Sequence, residues 1–219
     1  MPESLKRVEA VRQTRLASKS APTRKLAATP TRFHVENIPD SAYLVVPKVS
    51  SERRPFIPIG FMTPETLCSD LVFIVSHASL YHLGALSSTM HMAWVRTVCG
   101  RLESRYRYSA GIVYNNFPWP IDANDAQRDA IAKAAQGVLG ARAAFPDATL
   151  ADLYDPLSMP PALVKAHQAL DRAVDGAYVP SGGKKSWASD AERVAFLFAL
   201  YQRLTSLLPV ATAPKKRRT

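Results

Sequence analysis

The sequence predicts an α+β protein in which a mixed α/β segment precedes a small all-α helical bundle. Between Phe33 and Val75, short apolar stretches alternate with prolines, a pattern typical of strands at sheet edges. After Pro118-Trp119-Pro120 the strand pattern ends, and three amphipathic segments with helical periodicity follow. This change of periodicity places the predicted domain boundary at residue 120.

The first 120 residues are predicted to begin with a basic helix over 3–19, which has a narrow apolar stripe. A longer amphipathic helix is predicted over 78–98, where Gly100 provides a stop. The predicted strands are 42–46, 56–61, 71–75, 101–109 and 111–117, the last two joined by a tight turn at Ser109-Ala110-Gly111.

The remainder of the chain is predicted to be helical over 124–145, 160–178 and 188–208. We therefore expect a first domain over residues 1–120, with the basic helix at its start, and a C-terminal helical domain over 121–212. The basic tail 213–219 is expected to be disordered.

The composition excludes several classes of protein. The chain has 219 residues, of which 47% are hydrophobic, which suffices for a folded core without disulfides. Only two cysteines are present, which indicates a reducing compartment. Because the sequence contains neither an apolar run long enough to cross a bilayer nor a secretory signal, we expect a cytoplasmic protein with no membrane partner.

The net charge of +10 is concentrated at the two ends of the chain. Residues 1–25 carry +5 and Lys215–Arg218 carry +4, so the body between them is nearly neutral. Two basic ends suit a polyanionic partner, because Lys and Arg displace counterions from phosphates. A solvated helix and a disordered tail explain the same charges without any partner.

One predicted strand combines charged and packing residues in alternation. Over residues 101–108, the odd positions are charged and the even positions hold Leu, Ser and Tyr, so a strand would present the charges on one face. Arg can donate two hydrogen bonds to guanine, and a carboxylate can accept one from cytosine. The pattern therefore predicts Glu103, Arg105 and Arg107 as DNA base-reading residues, although surface ion pairs give the same pattern.

The loop 48–55 combines hydroxyl groups with positive charges. Such groups suit DNA phosphates, whose contacts position a protein on a duplex without reading its sequence. An ordinary exposed loop has a similar composition. The predicted phosphate-contacting residues are Lys48, Ser50, Ser51, Arg53 and Arg54, together with Arg101 at the start of the charged strand.

The sequence carries no familiar catalytic or metal-binding motif. Glycine-rich nucleotide loops, Walker loops and Gly-x-Ser-x-Gly elbows are missing. The spacing of three histidines and two cysteines between residues 68 and 99 matches no metal site, which favours core histidines. We therefore predict no catalytic residues, no metal and no cofactor bound by this chain.

Several long motifs resemble one family. Val46-Pro47-Lys48-Val49-Ser50-Ser51-Glu52-Arg53-Arg54-Pro55 and Ile112-Val113-Tyr114-Asn115-Asn116-Phe117-Pro118-Trp119-Pro120 resemble segments of the MmeI-like DNA methyltransferases and restriction–modification enzymes. Ser88-Thr89-Met90-His91-Met92-Ala93-Trp94, Tyr106-Arg107-Tyr108-Ser109 and Leu153-Tyr154-Asp155-Pro156 do so as well. The motifs follow the family's order from about residue 30 to residue 205, within the C-terminal part of the family.

The resemblance implies a target-recognition domain followed by a C-terminal helical domain of a bacterial enzyme that methylates adenine N6. It implies that Glu103 and Arg105 read one base pair. The implied partners are double-stranded DNA and a methyltransferase catalytic domain that uses S-adenosyl-L-methionine. That catalytic half is expected upstream and outside this chain, so the chain alone is predicted to be inactive. A self-standing DNA-binding or scaffold protein, and a non-functional gene fragment, are the alternatives.

Overall fold

The structure is a computed structural model that describes residues 2–36, 39–179 and 187–206. These residues fall into two compact units, one formed before Ser41 together with Pro64–Leu67 and one that holds the rest. The helices are α1 (Pro2–Leu16), α2 (Ala21–Lys25), α3 (Leu80–Leu86), α4 (Thr89–Val98), α5 (Asp125–Ala143), α6 (Leu150–Leu153), α7 (Pro161–Ala177) and α8 (Asp190–Thr205). The strands are β1 (Tyr43–Pro47), β2 (Val49–Ser50), β3 (Gly60–Met62), β4 (Val72–Val75), β5 (Gly100–Leu102) and β6 (Arg105–Arg107). The predicted α+β class is confirmed.

The first unit contains α1, α2 and the 3₁₀ turn Leu26–Ala28. Helix α1 has no buried residue, in keeping with its basic and polar sequence. Near its end, the Arg15 guanidinium donates to the carbonyl oxygens of Leu26 at 2.9 Å and Thr29 at 2.7 Å. The predicted N-terminal helix is therefore confirmed, and its last turn holds the segment that follows.

Two antiparallel three-stranded sheets form the β part of the second unit. Strand β1 is central in the first sheet, whose order is β3-β1-β4, and pairs Leu44 with both Phe61 and Val75. The second sheet, here called the hairpin sheet, has the order β2-β6-β5. The strand predicted over 56–61 begins only at Gly60, because Pro55 and Pro58 have no N–H to donate to a sheet.

The predicted strands over 101–109 and 111–117 are both corrected. The first is a hairpin, β5 and β6, joined by the two-residue turn Glu103-Ser104. The second is a helical turn of π type, Ala110–Tyr114. The Ser109 hydroxyl accepts the Ile112 N–H at 3.3 Å and so caps this turn, an interaction that favours a helical start over a strand.

The helix predicted over 78–98 is two helices, α3 and α4, with a break at Ser87-Ser88. Ser88 caps α4, since its hydroxyl accepts the His91 N–H at 3.2 Å. The same hydroxyl donates to the Ala85 carbonyl at 2.7 Å. Local side-chain hydrogen bonds of this kind compete with a continuous helix, which a periodicity of apolar residues cannot show.

The three predicted C-terminal helices are confirmed as α5, α7 and α8, and the short α6 is an addition. The expected tail 213–219, and the end of the helix expected to reach residue 208, lie outside the described residues. Within the described part of the chain, none of the helices has the length and apolar character needed to span a bilayer.

The predicted boundary at residue 120 is not a break in packing. Helix α5 packs against α3 as well as α7, and α4 packs against α8. Gly84 of α3 allows this approach, because a Cβ atom there would lie 2.6 Å from Ile131 Cγ2 of α5. One hydrophobic core therefore extends from the sheets to the C-terminal helices.

Candidate nucleic-acid interface

The hairpin sheet presents two chemically different faces. Its register pairs Val49 and Gly100 with Arg107, and Leu102 with Arg105. Directly paired residues lie on the same side of an antiparallel sheet, so these five residues share one face. All five are exposed.

The opposite face carries Ser50, Arg101 and Tyr106. Arg101 pairs with Tyr106, whose side chain is buried. The alternation predicted for residues 101–108 is therefore wrong in placing all four charges on one face. The turn after Leu102 reverses the chain, so Arg101 lies on the face opposite to Arg105 and Arg107.

Glu103 occupies the first position of the hairpin turn. Its φ angle of 58° lies in the left-handed region, which costs a side chain other than glycine about 1–3 kcal/mol. Its carboxylate accepts a hydrogen bond from the Arg105 guanidinium at 2.7 Å. The side chain of Glu103 is 77% exposed and that of Arg105 is 46% exposed, so this ion pair contributes little to folding and is available to a polar partner.

Arg101 stacks on the sheet rather than projecting from it. Its guanidinium carbon lies 4.2 Å from the Tyr106 ring centroid, and Nη1 donates to the Ser104 carbonyl at 2.9 Å. Arg101 thereby covers the ring of Tyr106 and closes the turn. Its charge is held at one edge of the hairpin.

A buried histidine contacts Tyr108, the residue that follows β6. His91 Nδ1 lies 2.8 Å from the Leu86 carbonyl oxygen and Nε2 lies 3.0 Å from the Tyr108 hydroxyl. The carbonyl requires a proton on Nδ1, so Nε2 accepts from Tyr108. Burial lowers the pKa of His91 to about 4, which keeps the ring neutral. The Tyr108 backbone N–H in turn donates to the Lys48 carbonyl at 2.8 Å and joins the hairpin to the loop.

The loop 48–55 places its predicted phosphate-contacting residues unequally. Arg53 is exposed, and Arg54 is half-buried with its Nε–H buried and without a hydrogen-bond partner among the described residues. Lys48 Nζ lies 5.0 Å from the Phe73 ring centroid. Ser51 folds the loop, since its hydroxyl accepts the Arg53 N–H at 3.2 Å.

Ser50 does not suit a phosphate contact. Its side chain is on the covered face of β2 and the residue is only 2% exposed. The hydroxyl is buried and has no hydrogen-bond partner within the described residues. We therefore correct the sequence prediction for Ser50, because alternation along β2 turns it away from solvent.

A polar network in the core holds the segment that follows this loop. Arg142 of α5 donates to the Ile59 carbonyl at 2.8 Å, and its Nε and Nη2 donate to the Tyr154 hydroxyl at 3.0 and 2.5 Å. The Tyr154 hydroxyl lies 2.7 Å from Nε2 of His167, whose ring stacks on Phe56 at 3.9 Å. The C-terminal helices thus hold the segment 56–59, which follows the loop in the chain.

The electrostatics of this network keep His167 neutral. Burial and the nearby Arg142 charge lower its pKa to about 3. A neutral Nε2 accepts from Tyr154, which leaves the tyrosine oxygen to accept from the arginine. No local sequence pattern indicates Arg142, Tyr154 and His167, because the residues that they contact lie 12 to 83 positions away along the chain.

Arg96 of α4 makes a second link to the loop. It donates to the Pro55 carbonyl at 3.4 Å and to the Asp190 carboxylate of α8 at 2.6 Å. Residues 55–59 are therefore held by side chains from helices on both sides of residue 120. In the described ranges no group of three His, Cys, Asp or Glu residues is placed to hold a metal ion.

Comparisons with known proteins match both halves of the chain. Residues 1–121 match the family described as the MmeI target recognition domain, and residues 123–209 match the MmeI C-terminal domain. A solved structure of the Type IIL restriction-modification enzyme MmeI in complex with DNA is 48% identical, with a TM-score of 0.85 over 93% of this chain. DNA methyltransferase A of Bacillus subtilis (strain 168) is 42% identical over 183 residues, or 84% of this chain.

The chain spans only part of these relatives. It covers 27% of the MmeI chain and 20% of DNA methyltransferase A. The matches nevertheless include both halves of the sequence, in order and with the boundary between residues 121 and 123. The chain therefore belongs to the MmeI family and comprises its target recognition and C-terminal domains.

Proposed function

We propose that this chain is the DNA sequence-recognition module of an adenine-N6 DNA methyltransferase of the restriction–modification type. The observation that carries the proposal is the exposed face of the hairpin sheet, on which Arg105 and Arg107 project side by side next to Glu103. A two-stranded β-ribbon fits the major groove of B-DNA, where base pairs are distinguished by their hydrogen-bonding edges. The 48% identity to an enzyme solved with DNA supports the assignment.

Glu103 and Arg105 have the chemistry to read one G·C pair. Arg105 can donate to O6 and N7 of guanine, and the Glu103 carboxylate can accept from N4 of the cytosine. Their 2.7 Å ion pair holds the donor and acceptor groups side by side before DNA arrives. The backbone strain at Glu103 supports a functional reason for this residue, since Gly or Asn would suit the turn better. Arg107 presents a second guanidinium on the same face.

Phosphate contacts are assigned to cations of the loop and of the hairpin edge. Lys48, Arg53 and Arg54 belong to the loop, and Arg101 lies at the edge of the hairpin, while the Ser51 hydroxyl orders the loop. Such contacts set the register of the protein on DNA and contribute affinity that falls with salt. Ser50 is left out of this set because it is buried.

Methyl transfer is assigned to a catalytic domain outside this chain, with S-adenosyl-L-methionine as its cofactor. The sequence has no Asn-Pro-Pro-aromatic motif, so no residue here is assigned to the cofactor and no chemical step is attributed to this chain. A methyltransferase must take its target base out of the stack, and the recognition module would hold the surrounding duplex meanwhile. A cytoplasmic location, where DNA and cofactor are available, belongs to the same proposal.

Selection of duplexes from a randomised pool with the full chain tests the proposal. We expect one enriched motif, and we expect Arg105→Ala to lose base preference at a single position. Arg172→Ala, an exposed arginine of α7, is the matched control and should enrich the wild-type motif. Enrichment of no motif by the wild-type chain would overturn the proposal.

The assignment of catalysis to another polypeptide has its own test. We expect the purified chain to transfer no methyl group from labelled S-adenosyl-L-methionine to duplexes that carry the selected motif. Addition of a methyltransferase catalytic domain should produce N6-methyladenine at one position relative to that motif. Sustained transfer by the chain alone would contradict the assignment.

A further inference from the structure

The exposed face of the hairpin sheet, which holds Arg105 and Arg107, also carries two exposed apolar side chains. The proposed base reading does not explain them. Val49 is 36% exposed and Leu102 is 40% exposed. Both lie on the face of Arg105 and Arg107, while the opposite face has the buried Tyr106. An exposed leucine in a three-residue edge strand adds nothing to the core, so folding alone does not account for its position.

The register gives each arginine one apolar neighbour. Leu102 is directly opposite Arg105, and Val49 is directly opposite Arg107. Cβ atoms of directly opposed residues lie about 5 Å apart, so each pair presents a guanidinium and an apolar group to neighbouring points of the same surface. Gly100, on the other side of Arg107, adds no side chain and leaves that surface open.

A DNA major groove offers a matching pair of groups. Guanine presents two acceptors at its edge, and the methyl group at C5 of thymine is the apolar feature of that groove. A guanine edge and the methyl of an adjacent thymine would therefore meet one arginine and its apolar partner together. If Leu102 and Val49 faced only polar base edges, those polar atoms would lose water without gaining a hydrogen bond, which is unfavourable.

We propose that Leu102 and Val49 are specificity-determining residues that contact thymine C5-methyl groups next to the bases read by Arg105 and Arg107. This inference deepens the proposed function and rests on it. It predicts discrimination between thymine and deoxyuridine, which have identical hydrogen-bonding edges and differ only by that methyl group. A hydrogen bond cannot produce such discrimination.

The experiment uses the full chain and the motif that it selects. At the thymine next to the base whose preference Arg105→Ala abolishes, replacement by deoxyuridine should weaken wild-type binding about fourfold, the value for one buried methyl group. Leu102→Ala should bind the thymine and deoxyuridine duplexes equally. Val49→Ala should likewise bind thymine and deoxyuridine equally at the thymine next to the base whose preference Arg107→Ala abolishes. Leu157→Ala, an 85% exposed leucine, is the control and should keep the fourfold difference.

The outcomes separate this inference from the proposed function. A motif with no thymine at these positions, or equal wild-type binding of thymine and deoxyuridine duplexes, overturns the roles of Leu102 and Val49 alone. Discrimination that persists in Leu102→Ala and Val49→Ala overturns them too. If the wild-type chain selects no motif, or Arg105→Ala leaves every base preference unchanged, the base-reading proposal fails and this inference fails with it. Circular dichroism of each variant checks that it is folded.

Discussion

Arg101 and Tyr106 are directly opposite one another across the hairpin, with the guanidinium carbon 4.2 Å from the ring centroid. The register of the two strands places Arg101 on the face opposite to Arg105 and Arg107. Two arginines four residues apart therefore have different surroundings. Arg101 covers a buried ring at the edge of the hairpin, whereas Arg105 projects beside Glu103.

Substitution of Arg101 should affect affinity without affecting base preference. We expect Arg101→Ala to weaken binding of all sequences equally and to lower the salt slope by about one, since a phosphate contact carries no base identity. The lost stacking should also lower the free energy of unfolding by about 0.5–1 kcal/mol. Binding titrations at several salt concentrations and denaturant unfolding measure both effects. A changed base preference in Arg101→Ala would show that it reads sequence instead.

Exchange of charge between Glu103 and Arg105 should change the base pair that is preferred. In the double variant Glu103→Lys with Arg105→Asp, the donor and acceptor positions are reversed, so the G·C pair should be replaced by its inverse. Arg105→Ala alone should cost about 1–3 kcal/mol on the original site. Sequencing of methylated sites in an enzyme reconstituted with the catalytic domain gives the result. If the double variant still methylated the original site, the two residues would be surface ion-pair partners only.

The network below the loop should be sensitive to the loss of one oxygen. Tyr154→Phe removes the hydroxyl that accepts from Arg142 and lies 2.7 Å from His167 Nε2, and it leaves both groups buried without that partner. We expect the free energy of unfolding to fall by about 1–3 kcal/mol. Tyr201→Phe, a half-buried tyrosine of α8, is the control for removal of a phenol oxygen. Equal unfolding midpoints for Tyr154→Phe and wild type would contradict the role given to this hydroxyl.

The packing of α3 on α5 is open to a test with two glycines. Gly84→Ala would place a Cβ atom 2.6 Å from Ile131 Cγ2, so we expect a loss of about 1–3 kcal/mol in stability. Gly137→Ala on α5 meets nothing within 4 Å and should instead stabilise the protein by about 0.5–1 kcal/mol. Thermal or denaturant unfolding compares the two. A neutral Gly84→Ala would mean that the helices before and after residue 120 are less closely joined than the structure has them.

Stability should decline as the pH falls from 7 to 5. The folded-state pKa values of His91 and His167, about 4 and about 3, lie below the ordinary value of 6.5, so at pH 5 the unfolded chain binds protons that the folded protein does not. At pH 5 each histidine should lower the free energy of unfolding by about 2 kcal/mol relative to pH 7. Burial raises the pKa of Asp171 and Asp175, which acts in the opposite direction. The comparison with His91→Gln and His167→Gln isolates the histidines, since each variant should show a shallower pH dependence than wild type.

The amphipathic periodicity of the sequence determined the long helices. Helices α1, α5, α7 and α8 follow from apolar residues at helical spacing and from side chains that cap the first turn, such as Asn124 and Ser189. Strands β1 and β4 follow from short apolar runs between prolines. These signals act within a few residues, so they can be read along the chain without knowledge of the fold.

The sequence indicated which charged residues belong to the candidate site, but not which face of the sheet each of them occupies. Residues 101–108 contain the charged groups, yet the alternation of a single strand gave the wrong face for Arg101, because a two-residue turn with no Gly or Asn at its first position left no sign of a hairpin. The break at Ser87-Ser88 and the helical turn after Ser109 depend on side-chain hydrogen bonds, which a hydrophobic pattern does not record.

The α+β class, the long helices, the basic charge and the residues that carry the family resemblance can all be read from the sequence, because each depends on local composition or order. Three features depend on the folded arrangement: Ser50 is buried, Val49 and Leu102 share one face with Arg105 and Arg107, and Arg142 donates to the Ile59 carbonyl. Those facts arise from pairing between strands and from packing between helices, both of which bring together residues distant in the chain. The surroundings of a side chain depend on the strand or helix that packs beside it, and no local pattern specifies that partner.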